Sequence, residues 1–463
     1  MGQYTALVPE IILSVLFLLY FVVGLITKKR EINGGIVLAI SIITALTLFS
    51  SYGTAFGGMF VADSFSQSLK LVFLINLFLC VLISLKYEKI RDELFYEYSL
   101  LMILSTLAMM LIVSSRDLIP LFLSVELMSL GVYLLSGFIA KDLRSNEASM
   151  KYYILGSFAS AIFLFGIAAL YGTTGTTNFS AILEALKNQT NLTVYHFAGV
   201  FAVLTALSFK AGCAPFHQWS PDVYEGAPTT VTAFMSVGPK AAAVGALGRL
   251  IFEGLSTQPQ LWLTPLIFIA LLTMAIGNIL ALRQNNIKRL LAYSSIAHAG
   301  YVMLAVLSST PEGLSSIVFY MLVYAFMNIG AFAVVLALPE GERIEGYKGI
   351  YHNNPTLAIC MLAFMFSLAG IPPFGGFIAK FLVFKAVIQA GYVWVALMGI
   401  IFSILSAYYY LRIVVKMFFT SPDTQQLQKY LIPSNLKLAI LFNTIFILAL
   451  GIIPDVFHVR IYY

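Results

Sequence analysis

AGCAPFHQW (211–219) and AGIPPFGGF (369–377) share the pattern A-G-x-x-P-F, and each interrupts a long apolar run. Lys210 directly precedes the first stretch, and Lys380 follows the second. Proline removes a backbone donor, and glycine tolerates the conformation that results. Gly212, Pro215, Gly370, Pro372 and Pro373 therefore mark two helix breaks, each with a lysine close by. Pro239, just before Lys240 in MSVGPKAAAVGAL (235–247), marks a third hinge.

The runs around these breaks set the fold class. Of 463 residues, 60% are hydrophobic and 10% charged, against about 25% charged in soluble domains. Apolar runs of about 20 residues recur from end to end, the pattern of a polytopic all-α membrane protein. Membrane strands would alternate apolar and polar residues instead. The first run, VPEIILSVLFLLYFVVGLIT (8–27), lacks a basic leader and a small-residue cleavage site, so it reads as a retained helix. Cys80, Cys213 and Cys360 are far apart and form no C-x-x-C pair, so neither a disulfide framework nor a cysteine-held metal or cluster is indicated. The net charge of +6 is scattered through short loops, where topology accounts for it better than nucleic acid does.

Fourteen spans are expected, at approximately 8–27, 34–55, 66–85, 95–115, 117–139, 147–171, 194–224, 229–254, 261–282, 288–308, 313–338, 355–388, 391–418 and 434–453. Loops after odd-numbered spans hold Lys28, Lys29, Arg30, Lys86, Lys89, Arg91, Lys141, Arg144, Arg283, Lys288, Arg289, Arg343, Lys348, Lys416 and Lys429. The other loops and tails hold little beyond Arg116, Lys187 and Arg460. By the positive-inside rule both termini lie outside.

Glu126, Lys210, Lys240, His298 and Lys380 fall well inside spans. A charge at mid-bilayer costs at least about 2.5–3.5 kcal/mol on insertion scales. The competing readings are a protonated carboxylate tying helices together for Glu126, snorkelling for Lys210 and Lys380, and a satisfied buried histidine for His298. One acid, three lysines and a histidine in five spans argue instead for an ion path. Burial weakens a lysine's hold on its proton and a nearby carboxylate strengthens it, so a lysine whose partner moves can exchange protons. Histidine fits such a relay. Sodium or potassium would want more carboxylates and carbonyls than these spans supply.

The matched breaks fall in spans seven and twelve, five apart. That spacing implies a five-helix unit used twice, and an odd-numbered unit must insert with opposite topology. The expected division is 1–92 (helices 1–3), 93–255 (first repeat), 256–420 (second, inverted repeat) and 421–463 (helix 14).

FKAGCAPFHQWSPDVYEGAPTTVTAFMSVGPKAA (209–242) resembles the signature region of the antiporter-like membrane subunits of respiratory complex I. Its F-H-x-W-x-P-D-V-Y-x-G-A-P wording is similar to subunit N, the homologue of mitochondrial NADH dehydrogenase subunit 2. SVELMSLGVYLL (124–135), EASMKYYILGSFAS (147–160), KRLLAYSSIAHAGY (288–301) and SLAGIPPFGGFIAKF (367–381) fit the same family in order. The resemblance covers nearly the whole chain. It implies discontinuous helices 7 and 12, Glu126 paired with Lys210, relay positions at Lys240 and His298, and a terminal lysine at Lys380. It also implies a proton-translocating NADH-quinone oxidoreductase in a bacterial inner membrane, with subunits M and K among the partners. NADH, FMN, iron–sulfur clusters and quinone are then handled by other subunits, with no cofactor on this chain. Alternative readings are a subunit of a monovalent cation/proton antiporter and a purely structural subunit; electron carriage by this chain fits worst.

Overall fold

In hydrocarbon every backbone polar group must be satisfied within the protein, so apolar segments become helices. The computed structural model describes residues 2–187, 189, 191–421 and 431–456. Lys429 and Arg460, which entered the charge count, lie outside these residues. Helices α1 (Val8–Ile26), α2 (Arg30–Leu48), α3 (Ser64–Ser84), α4 (Phe95–Ser114), α5 (Leu118–Ser136) and α6 (Leu143–Thr174) come first. Helix seven is broken into α7a (Val194–Ala211) and α7b (Trp219–Gly226). Then follow α8 (Thr229–Leu250), α9 (Leu263–Ala281), α10 (Ile287–Ser308) and α11 (Pro311–Ala337). Helix twelve is broken into α12a (Pro355–Ala369) and α12b (Gly375–Gln389), and α13 (Val393–Phe419) and α14 (Ser434–Ile452) close the chain.

Among the described residues thirteen helices are long and apolar enough to cross a membrane. The fourteenth crossing is helix twelve, whose halves of 15 residues each fall short singly. The chain is therefore a multi-pass membrane protein, and α1 begins and α14 ends on one face, called here the terminal face. The opposite face carries the basic loops.

Packing repeats itself. In α4–α8 and again in α9–α13, the first helix packs on the second and fifth, and the second on the third. In both sets the third helix packs on both halves of the broken fourth, and the fifth touches both halves as well. Two five-helix sets thus use one internal design.

The interior belongs to α8, α10 and α11. Every residue of α8 is buried, and every residue of α10 except Arg289. Small residues permit this density: a Cβ on Gly277 of α9 would lie 2.5 Å from the Ala297 nitrogen of α10, so the two backbones meet directly. Leu18, Leu123, Phe158 and Leu397 point outward from α1, α5, α6 and α13, as lipid-facing side chains do. On the terminal face, β1 (Gly53–Ala55) and β2 (Phe60–Ala62) form a small antiparallel hairpin. The stretch after α6 contains a short helix, Phe179–Lys187, that packs on a π turn (Ile251–Leu255) closing α8.

Candidate functional site

The two breaks have the same backbone solution. Gly212 (φ 73°) and Gly370 (φ 85°) end α7a and α12a in the left-handed conformation, where an L side chain is strained. Both breaks also contain a cis X–Pro bond, Ala214–Pro215 and Pro372–Pro373. A helix end leaves carbonyls without partners, and the two breaks satisfy theirs differently. In α7a the Trp219 indole donates to the Phe209 carbonyl (3.1 Å). In α12a the Lys380 ammonium donates to the Leu368 (3.1 Å) and Ala369 (2.9 Å) carbonyls and to Ser403 Oγ of α13 (2.9 Å). Lys380 also lies 4.9 Å above the Tyr301 ring.

Lys210 turns away from its break. Its ammonium donates to Ser129 Oγ (2.7 Å) and Tyr133 Oη (3.1 Å) of α5. Glu126 stands on the same helix face, at spacings of three and seven residues. It accepts from Ser160 Oγ of α6 (2.5 Å). Among the described ion pairs none joins Glu126 to Lys210; the ammonium is held by the Ser129 and Tyr133 hydroxyls of α5 instead. The physical reason is register: Lys210 meets α5 one to two turns along from Glu126.

The lysine at the first break is Lys240. A Cβ placed on Gly212 would lie 3.8 Å from Lys240 Nζ, and that ammonium donates to the Ser295 carbonyl of α10 (2.6 Å). Pro239, expected to be a hinge, does not break α8, which runs on from Thr229 to Leu250. Its missing N–H frees the Met235 carbonyl, and Tyr224 Oη of α7b lies 3.4 Å away in donor geometry.

One turn beyond Ser295, His298 sits between two tyrosines. Its Nδ1 is 2.6 Å from Tyr320 Oη and its Nε2 is 3.2 Å from Tyr410 Oη. Tyr410 Oη also meets Ser294 Oγ (2.5 Å). Ser208, Ser220, Ser295 and Tyr324 bring further buried hydroxyls into this region. The five sequence candidates thus fall into three groups: Glu126 and Lys210 on α5–α7a, Lys240 and His298 along α10, and Lys380 at the α12 break.

Sequence reasoning missed the tyrosines and serines of these groups, because hydroxyls inside apolar runs carry no marked signal. It also missed a buried ion pair, Lys70–Glu10 (2.8 Å), and Arg249, which pairs with Asp63 (2.8 Å) and Glu253 (2.6 Å). These lie within a few turns of span ends, where charge is unremarkable. Asp63 is the N-cap of α3. Burial pushes its carboxyl up, but the Arg249 guanidinium and Ser66 outweigh this and hold it down at about 2. Among the described residues no group of three or more His, Cys, Asp or Glu could hold a metal ion.

Residues 115–406, which include all five candidates, match the family described as NADH:quinone oxidoreductase/Mrp antiporter, TM. Over 98% of its length this chain is 46% identical to NADH-quinone oxidoreductase subunit N 1 of Thermodesulfovibrio yellowstonii, covering 97% of that protein. The chain belongs to the NADH-quinone oxidoreductase subunit N family. Among solved structures, this subunit N relative is similar to a chain of respiratory complex I from Thermus thermophilus with bound aureothin. The TM-score is 0.82 and the identity 31%, over 96% of this chain and 97% of that one. It shares its fold with a chain of the Mrp complex from a Dietzia species, at TM-score 0.84 and 23% identity, over 98% of this chain and 96% of that one. The antiporter-like fold with broken helices seven and twelve agrees with the subunit N assignment.

Proposed function

We propose that this chain is a proton-translocating membrane subunit of an NADH-quinone oxidoreductase, coupling quinone reduction elsewhere in the complex to proton movement through Glu126, Lys210, Lys240, His298 and Lys380. One observation carries the relay: Lys210, Lys240 and Lys380 are all buried, and none has a carboxylate at ion-pair distance among the described residues. A permanently charged, unpaired ammonium is expensive to bury. A lysine that gives up and regains its proton avoids that cost for part of the cycle, and hydroxyl or carbonyl partners serve both states.

In this reading a shift in the electrostatics around Glu126 loads or unloads Lys210. Lys240 takes the proton at the α7 break, His298 and its tyrosines pass it along α10, and Lys380 releases it at the α12 break. Residues 93–255 and 256–420 are the two inverted repeats, 1–92 and 421–463 the flanking helices. The terminal face is the outer side of a bacterial inner membrane. Flavin, iron–sulfur clusters and the NADH and quinone sites belong to other subunits, and subunits M and K are among the neighbours.

The test is coupled pumping in reconstituted vesicles. Lys210→Ala or Glu126→Ala lowers proton uptake per NADH oxidised while the complex still assembles; wild-type pumping in both variants would sink the reading. Sodium-dependent ΔpH without a quinone substrate would favour the antiporter alternative instead.

A further inference from the structure

The two breaks share a backbone shape but differ in what holds their N–H groups. At the α12 break, Gly370 N and Ile371 N donate back to the Phe366 carbonyl (3.0 and 2.9 Å), and Gly376 N donates to Ser367 Oγ (3.1 Å). All three bonds stay within helix twelve. Pro372 and Pro373 lie between them and have no N–H to place. At the α7 break, Gly212 N and Cys213 N likewise donate back, to the Phe209 (3.0 Å) and Ser208 (2.8 Å) carbonyls. Aligned on A-G-x-x-P-F, the place of Pro372 is then taken by Ala214, which is fully buried and does carry an N–H. That N–H leaves helix seven and donates to Thr273 Oγ1 of α9 (2.9 Å).

The Thr273 hydroxyl is fully engaged. It donates to the Ile269 carbonyl one turn earlier (2.5 Å), which leaves its lone pairs to face the break, and the Cys213 thiol meets the same side chain. A hydroxyl has one proton and two lone pairs, so one donation and two acceptances use all of them. The α9 segment around Thr273 is pressed onto α10. A Cβ on Gly300 would lie 2.9 Å from the Met274 nitrogen and 3.1 Å from the Ala270 carbonyl oxygen, and Gly277 meets Ala297 on the next turn. The same α10 supplies the Ser295 carbonyl that accepts from Lys240 (2.6 Å), while Gly212 stands over that ammonium. Lys240 therefore ends in a slot with the α7 break on one side and α10 on the other. The Ala214–Thr273 bond fixes the width of that slot.

We infer that Thr273 is a positioning residue for Lys240: through the Ala214 N–H it holds the α7 break at the distance from α10 at which the ammonium meets the Ser295 carbonyl. The inference rests on the proposed pumping function. Thr273 carries no proton in transit, because its own proton is bound to Ile269. Its effect is on geometry. Proton transfer needs its donor and acceptor near hydrogen-bond distance, and a misplacement of about 1 Å can cost about 100-fold in rate. The α12 break has no counterpart to this tie at Pro372, and there Lys380 itself donates to the freed carbonyls.

The test compares Thr273→Ser, Thr273→Val and Thr273→Ala in the assembled complex, reconstituted in vesicles. Thr273→Ser keeps the accepting oxygen. Thr273→Val keeps the shape but leaves the Ala214 N–H bare, whereas Thr273→Ala leaves room for a water to take it up, so that assembly does not depend on the tie. The rate of proton uptake is expected to fall roughly tenfold in Thr273→Val and Thr273→Ala, and to stay within about twofold of wild type in Thr273→Ser. A second readout needs no pumping: alkylation of Cys213, buried next to Ala214, by N-ethylmaleimide, followed by peptide mass spectrometry. A loosened break is expected to speed it roughly tenfold in Thr273→Ala and to leave Thr273→Ser unchanged. An assembled Thr273→Ala complex that pumps as wild type overturns the inference, and so does a Thr273→Ser complex as impaired as Thr273→Ala. Unchanged Cys213 reactivity in Thr273→Ala overturns it too. Failure of the pumping function itself reads out separately, as wild-type pumping in Lys210→Ala.

Discussion

Lys380 donates to the Ala369 carbonyl at 2.9 Å, so the lysine closes the helix break that it follows in sequence. The ammonium sits at the carboxyl end of α12a, where freed carbonyls and the helix dipole both favour positive charge. One side chain thus holds the break and, in the proposed relay, carries the last proton.

Those two tasks separate by substitution. Lys380→Gln retains amide donors for the carbonyls but takes up no proton. It is expected to assemble, melt within a few degrees of wild type and lower proton yield per NADH. Lys380→Ala also leaves the carbonyls bare and costs about 1–3 kcal/mol of stability. Thermal melting of the purified complex, set beside pumping, checks the pair.

Lys210 depends on Ser129 and Tyr133. Tyr133→Phe keeps the ring, which lies 5.4 Å from the ammonium, and removes one hydrogen bond to a charged group, worth about 1.5–3 kcal/mol. Pumping is expected to fall roughly tenfold or more in rate with little change in assembly. Ser129→Ala acts in the same direction. Stopped-flow acidification with a pH-sensitive dye checks both.

Gly370→Ala faces two obstacles. Its φ of 85° strains any L side chain, and the new methyl would lie 2.9 Å from Lys380 Cδ and 3.3 Å from Nζ. A left-handed residue alone costs about 1–2 kcal/mol. The variant is expected to shift the lysine off its carbonyls and reduce assembly, read as the yield of intact complex on a native gel. Gly35→Ala, with nothing within 4 Å of the new methyl, is the matched control.

Asp63 links stability to pH through Arg249. Its carboxyl is held at about 2 in the fold, below the ordinary value of about 3.9. A depressed carboxylate contributes stability that is fully present above the unfolded value and is lost as pH falls through the folded one. The contribution, about 2.5 kcal/mol, is therefore constant at neutral pH and disappears between about pH 4 and pH 2. Asp63→Asn is expected to lower the melting temperature at pH 7 and to lose less than wild type over that acid range.

Much of this protein was written in its sequence. The length of the apolar runs determined fourteen crossings, because a helix must span the hydrocarbon and satisfy its own backbone. Proline and glycine at 212–215 and 370–373 determined two broken helices, because those residues act on the backbone they belong to. Glu126, Lys210, Lys240, His298 and Lys380 stood out because charge is costly in an apolar run. What the tertiary structure alone decided was partnership. That Lys240 lies at the α7 break, that Lys210 meets hydroxyls of α5, and that Arg249 meets Asp63 depends on how helices far apart in sequence are registered. Register comes from side-chain packing between surfaces, such as Gly277 against Ala297, and no local pattern of residues encodes it.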